Sequence, residues 1–156
     1  CQGEYTNRMA KRNKTEYLII HCTATKPSMD IGLTEVDAWH RHRGFFGCGY
    51  QFIIRRDGVV ENGRSIGDVG AHAKGYNHNS IGIALVGGVT EDDVSISENN
   101  FTEIQFDVLS DVITTLQLSY GDIQVLGHRD LPDVKKDCPA FDVKEWLHDV
   151  GEWLPK

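Results

Sequence analysis

Three residues far apart in the chain carry side chains that bind metals: His21 in "LIIHCTAT", His128 in "QVLGHRD" and Cys138 in "KKDCPAFD". Each histidine follows a short apolar run. Each is therefore expected at the end of a buried strand, where side chains point into the crevice at the edge of an α/β sheet and ligands bind. If the two strands are neighbours, the imidazoles converge. Cys138 lies in "RDLPDVKKDCPAFD", a loop too charged to bury a simple apolar thiol and stiffened by two prolines. Two nitrogens and one thiolate form a three-ligand set that zinc accepts in tetrahedral geometry, leaving the fourth position to water. Scattered ligands are a weaker signal than a paired CxxC arrangement. On the residues alone a lone strand-end histidine is more often structural, and Cys138 stands open between a buried thiol, half of a disulfide and a metal ligand.

The elements that must position these residues can be read along the chain. "EYLIIHCTAT" predicts a strand from Tyr17 to Ile20 that stops at His21. "GLTEVDAWHRHRG" predicts a helix of about ten residues, with Thr34 as N-cap, Asp37 three residues on and Gly44 as its stop. Val36 and Trp39 fall on its core face, and His40 and His42 are expected in solvent. "GYQFIIRRDGVVENG" reads as a hairpin closed by a two-residue Asp57-Gly58 turn. Ile81 to Val86, a continuous apolar run ended by paired glycines, reads as a central strand buried on both faces.

After the acidic loop "EDDVSISENN", a Thr102/Gln105 capping box opens what should be the longest helix. Ile123 to Leu126 forms a further strand, and Asp142 with Glu145 three residues later caps a last helix. Alternating strands and helices with one hairpin predict a single α/β domain over residues 15–156, a mixed central sheet of about five strands flanked by helices. Residues 1–14 are polar and aperiodic, and are read as a disordered tail or a cloning remnant.

Composition excludes some functions. Sixteen basic and 23 acidic residues give a net charge of −7, which argues against a nucleic-acid backbone or an anionic membrane as the main partner. No apolar run approaches the roughly 20 residues needed to cross a bilayer, and the start lacks the apolar core of a signal peptide. Cytoplasmic synthesis, a monomer and no membrane insertion are the expectations. A lipoprotein processed at Cys1 is the alternative if that residue is native. The four cysteines are too few and irregular for a disulfide framework in a chain with 40% hydrophobic residues, so free thiols are expected.

In order and spacing, "HCTATKPS", "GYQFIIRRDG", "GAHAKGYNHNSIGIALVGG", "GHRD" and "KKDCPAFD" closely resemble the zinc-dependent N-acetylmuramoyl-L-alanine amidases of the phage T7 lysozyme type. That broad family also includes the peptidoglycan recognition proteins. The resemblance runs from about Tyr17 to Trp146. It implies hydrolysis of the amide between N-acetylmuramic acid and L-alanine in bacterial peptidoglycan, in cell-wall lysis or remodelling. It also implies Zn2+ held by His21, His128 and Cys138, with Tyr50 beside the zinc water and Lys136 in catalysis. Lys135 is an equal candidate on composition alone, and Tyr50 without the resemblance reads as a core aromatic.

His72, Asn77 and Asn79 match the segment that such proteins use at the substrate groove. Relatives commonly carry histidine where this chain has Gln51, but strand alternation should turn residue 51 away from Tyr50. A non-catalytic peptidoglycan-binding module is the alternative function. Members of that kind often lack the cysteine ligand, and Cys138 is present here.

Overall fold

The computed structural model describes residues 10–151. The elements run β1 (Tyr17–Cys22), α1 (Leu33–His42), β2 (Phe52–Ile54), β3 (Val60–Asn62), β4 (Ser80–Leu85), α2 (Glu103–Tyr120), β5 (Gln124–Gly127) and α3 (Val143–Gly151). They form a mixed five-stranded sheet in the order β3-β2-β4-β1-β5. β1, β2, β4 and β5 are parallel, and only the β2–β3 hairpin is antiparallel. The continuous apolar run of β4 has the middle place, with all six residues buried, because a strand covered on both faces has no polar side to show.

Helices cover both faces. α2 and α3 lie on one side, where Leu109 and Ile113 pack with Leu18, Ile20, Ile81 and Ile83. α1 lies on the other, placing Val36 against Ile53, Ala84 and Val86. α2 begins as its capping box requires: Gln105 N donates to Thr102 Oγ1 at 3.2 Å and Thr102 N to Gln105 Oε1 at 2.9 Å. The fully buried Gln105 amide also donates to the carbonyls of Ile54 and Val86, tying the helix to the ends of β2 and β4. In α3, Glu145 N donates to Asp142 Oδ1 at 3.1 Å, the expected cap.

Several local expectations are corrected. α1 is capped at Gly32, whose N–H donates to Glu35 Oε1 at 2.8 Å, while the N–H of Leu33 is taken by Glu61. Thr34 is exposed, and Asp37 instead accepts from Arg41 and from the Cys48 N–H. Trp39 is 41% exposed and His40 is buried, so Val36 and His40, one turn apart, form the inner face of α1. The hairpin turn is one residue longer than expected. Gly58 N donates to Arg55 O and Arg55 N to Val59 O, and Gly58 takes the positive φ of 89° that closes it.

The strand boundaries shift by a residue or two, with β1 continuing through His21 to Cys22. Residues 10–12, which the sequence reading leaves in the tail, run beside 67–69. Arg12 N donates to Gly67 O and Val69 N to Ala10 O, both at 2.7 Å. Residues 1–9, with Cys1, lie outside the described part. Among the described residues Cys22, Cys48 and Cys138 are free thiols, and no helix is long and apolar enough to cross a membrane.

Candidate metal centre

β1 and β5 are neighbours and run parallel, with Ile20 opposite Gly127. The residue that follows each of these two is a histidine, His21 still on β1 and His128 just past the end of β5, so the two meet, with ring centroids 4.5 Å apart. Cys138 reaches them from the loop after β5. Arg129 N donates to Cys138 O at 2.8 Å, and the Arg129 guanidinium bonds Asp137 Oδ1 at 2.9 Å, fastening both ends of that loop to each other. One ligand atom from each of His21, His128 and Cys138 lies within 4.8 Å of the others.

The donor set fits a zinc ion on chemical grounds. Tetrahedral zinc with ordinary bond lengths separates a nitrogen from a sulfur ligand by about 3.6 Å, and His21 Nδ1 stands 3.9 Å from Cys138 Sγ. Burial, then the neighbouring His72 and His128, holds the pKa of His21 well below its usual value. Burial, then Lys136, lowers that of His128. Both imidazoles are thus neutral and have a lone pair to offer. Cys138 Sγ accepts the Cys22 N–H at 3.3 Å. A hydrogen bond with the Cys22 thiol, followed by burial, holds the Cys138 thiol well above the usual range. A cation beside the sulfur reverses that preference.

These residues open on a cavity of about 550 Å³, also lined by Tyr50, His72 and Lys136. The Tyr50 ring lies 5.0 Å from that of His21. Burial, then the cysteines around it, pushes the phenol's pKa upward, so Tyr50 keeps its proton and acts as a donor. Lys136 is exposed and lines the cavity, whereas Lys135 does not.

His72 is drawn inward. Its Nδ1 is 2.9 Å from His21 Nε2, and burial, then His128, Arg64 and Arg12, lowers its pKa to about 3. Asn77 and Asn79 are not on the cavity wall. Asn77 Oδ1 accepts the N–H groups of His72 and Ala73, each at 2.9 Å, and Asn79 is buried with its amide on Glu16. Asn77 thereby shapes the loop that carries His72, while Asn79 ties the start of β4 to Glu16 beside β1. Gln51 likewise lies off the cavity wall: fully buried, it donates to Asp68 O and accepts from Gly82 N.

Sequence reasoning missed His40 and Arg43, both on the cavity wall. His40 Nδ1 accepts the Gly49 N–H at 2.8 Å, and its ring lies 5.2 Å from Tyr50. The available signal was its spacing of four from Val36, which puts both on one helix face.

Two neutral histidines at the carboxyl ends of parallel strands, joined by a cysteine from the loop after β5, define a candidate metal centre in the crevice where α/β proteins bind their ligands. The comparisons with known proteins agree on the family. The chain belongs to the N-acetylmuramoyl-L-alanine amidase family, whose sequence model matches residues 11–141. It is 47% identical to the endolysin of Enterobacteria phage T3 over 135 residues, which is 86% of this chain and 87% of that one. It is 45% identical to the endolysin of Escherichia phage T7 over 136 residues, 87% of each. Among solved structures, the N-acetylmuramoyl-L-alanine amidase LysC from Clostridium intestinale superposes with a TM-score of 0.78 at 26% identity, covering 94% of this chain and 92% of that one.

Proposed function

We propose that the protein is an endolysin-type amidase that hydrolyses the bond between the lactyl group of N-acetylmuramic acid and L-alanine in bacterial peptidoglycan. Its centre is read as zinc held by His21, His128 and Cys138. The observation that carries this reading is the convergence of those three ligand atoms on the wall of a cavity that also takes Tyr50 and Lys136. When bound, zinc supplies two things an amide needs at neutral pH: water acidified toward a pKa of about 7 and a polarised carbonyl.

The remaining chemistry falls to the chain. Attack on the carbonyl carbon moves charge onto its oxygen, and a donor aimed there favours the transition state over the ground state. Tyr50, held protonated by burial, supplies such an O–H, and Lys136 brings a cation from the cavity wall. The lysine also suits the leaving amine, which must gain a proton before it departs. His72, Asn77 and Asn79 were expected to touch substrate. In this reading the two asparagines act behind the wall, His72 lines the cavity with both ring nitrogens engaged within the protein, and the substrate meets side chains such as Arg43 and Lys74 instead.

The test is release of new amino termini from purified peptidoglycan, with mass spectrometry to locate the cut and with chelator and added zinc as controls. Cleavage between the lactyl group and alanine, abolished by chelator and restored by zinc, is expected. Zinc-replete protein that releases nothing, or that cuts elsewhere, overturns the reading.

A further inference from the structure

A chain of hydrogen bonds leaves His21 on the side away from Cys138, and its direction is set at the far end. The Tyr76 carbonyl can only accept, so the Ser80 hydroxyl, 2.6 Å away, gives it its one hydrogen. Ser80 Oγ is left with lone pairs, which makes His72 Nε2, 3.3 Å away, the donor to it. A neutral imidazole has a single N–H, so His72 Nδ1 is bare and accepts from His21 Nε2 at 2.9 Å. By the same count His21 Nδ1 is bare. That is the nitrogen 3.9 Å from Cys138 Sγ.

We propose that His72 is a positioning residue for the metal centre: backed by Ser80 and the Tyr76 carbonyl, it fixes the tautomer and ring orientation of His21 so that Nδ1 offers its lone pair to the ion. This rests on the reading of His21, His128 and Cys138 as zinc ligands. Ring nitrogens that hold a metal commonly depend on the partner of the other nitrogen for orientation and basicity. Here both nitrogens of His72 are engaged within the protein, so it has no free ring nitrogen for a ligand in the cavity.

The surroundings are built for that ring. β4 carries glycine at position 82, directly beneath it: a Cβ there would lie 2.6 Å from His72 Cγ and 2.7 Å from Nδ1. Asn77 fixes the His72 backbone from the other side by taking its N–H and that of Ala73. Ser80 is fully buried at the start of the same strand, so the distal end of the chain cannot turn to water. A doubly protonated His72 would set an N–H against the N–H of His21 and break the relay.

Two measurements test this. Two-bond 1H–15N spectra of the histidine rings read tautomers directly, in zinc-loaded and in metal-free protein. His72 is expected with its hydrogen on Nε2 in both, and a hydrogen on Nδ1 overturns the proposal. Zinc affinity by competition with a chromophoric chelator is then compared for His72→Leu and His72→Asn. The leucine removes the acceptor and should weaken binding roughly 10- to 100-fold. The asparagine, whose Oδ1 falls near the place of Nδ1, should recover most of the loss. A leucine variant that folds and binds zinc as tightly as the parent overturns the assignment. Should the leucine variant fail to fold, the asparagine variant and the parent spectra still decide. Parent protein that binds no zinc sinks the metal reading instead, and the metal-free spectrum then judges the tautomer chain alone.

Discussion

The two faces of one sheet are built on opposite terms. Under α2 and α3, residues such as Leu18, Ile20, Ile83, Leu109 and Ile113 form a single apolar cluster, each side chain at most 3% exposed. Burial of each such side chain is worth roughly 1.5–3 kcal/mol. On the other face the apolar packing is split into two smaller clusters, around Ile53 and around Ile19. The rings of His21, Tyr50, His72 and His128 share that face, each within 5.0 Å of His21 by ring centroid. Burying neutral imidazoles and a phenol costs stability unless each polar atom has a partner. The contrast teaches that one face stabilises the fold strongly enough for the other to hold a polar, metal-ready site.

The largest effect should come from the polar face and should touch chemistry alone. Cys138→Ser removes the thiolate, and the rate of amino-terminus release is expected to fall by about three orders of magnitude or more, the scale of several kcal/mol of lost metal catalysis. The melting temperature of the metal-free variant should match that of metal-free parent. A variant that keeps its activity would show that the site has been misplaced. The opposite face should give the opposite result. Leu109→Ala empties a fully buried position in α2 and should cost about 2–5 kcal/mol in denaturant unfolding, with kcat/KM unchanged under conditions where the variant stays folded. Lost activity at full stability would break the division between the faces.

Tyr50→Phe sharpens it further, since ring packing survives and only the donor goes. A loss of roughly 100-fold in kcat with little change in KM is expected, about 2.7 kcal/mol of transition-state stabilisation. A rise in KM alone would make Tyr50 a binding residue.

The two faces also differed in how far the sequence revealed them. The apolar face was legible because its signals are local: the unbroken run of β4, the Thr102/Gln105 box, the period of α2. His21 and His128 were legible for the same reason, as strand ends, and the parallel pairing of β1 with β5 then did what neighbouring strands must. The side chains around the site were not. On α1, Trp39 at three residues from Val36 and His40 at four both satisfy a helical face, so periodicity alone does not choose between them. The choice falls to Gly49, whose N–H, brought in from another part of the chain, takes His40 Nδ1 as its acceptor. Asn77 and Asn79 share this ambiguity. An amide reads the same whether it meets a ligand or a backbone N–H, and only the folded loop puts the N–H groups of His72 and Ala73 in reach of Asn77.

That same His40 supplies the smallest test. Burial first, then Arg43 and Arg64, brings its pKa down to about 4 against the pull of Asp37. In the unfolded chain the value is about 6.5. As pH falls the unfolded chain therefore takes up the proton first, so this contribution to stability is full above about pH 6.5 and is lost as pH drops from there toward 4. His40→Asn keeps an acceptor for Gly49 and removes the titration. Between about pH 7.5 and pH 5, its melting temperature should fall less steeply than that of the parent, both measured metal-free so that ligand protonation on the zinc does not enter. His21, His72 and His128 also have lowered pKa values and are present in both proteins; His40 contributes to the His21 shift only after burial, His72 and His128, so the difference reports chiefly on His40. Leu109→Ala should shift the whole parental curve downward without changing its slope. If the His40→Asn and parent curves run parallel instead, the acid sensitivity of the polar face comes from the three histidines beside the cysteine, and His40 serves packing alone.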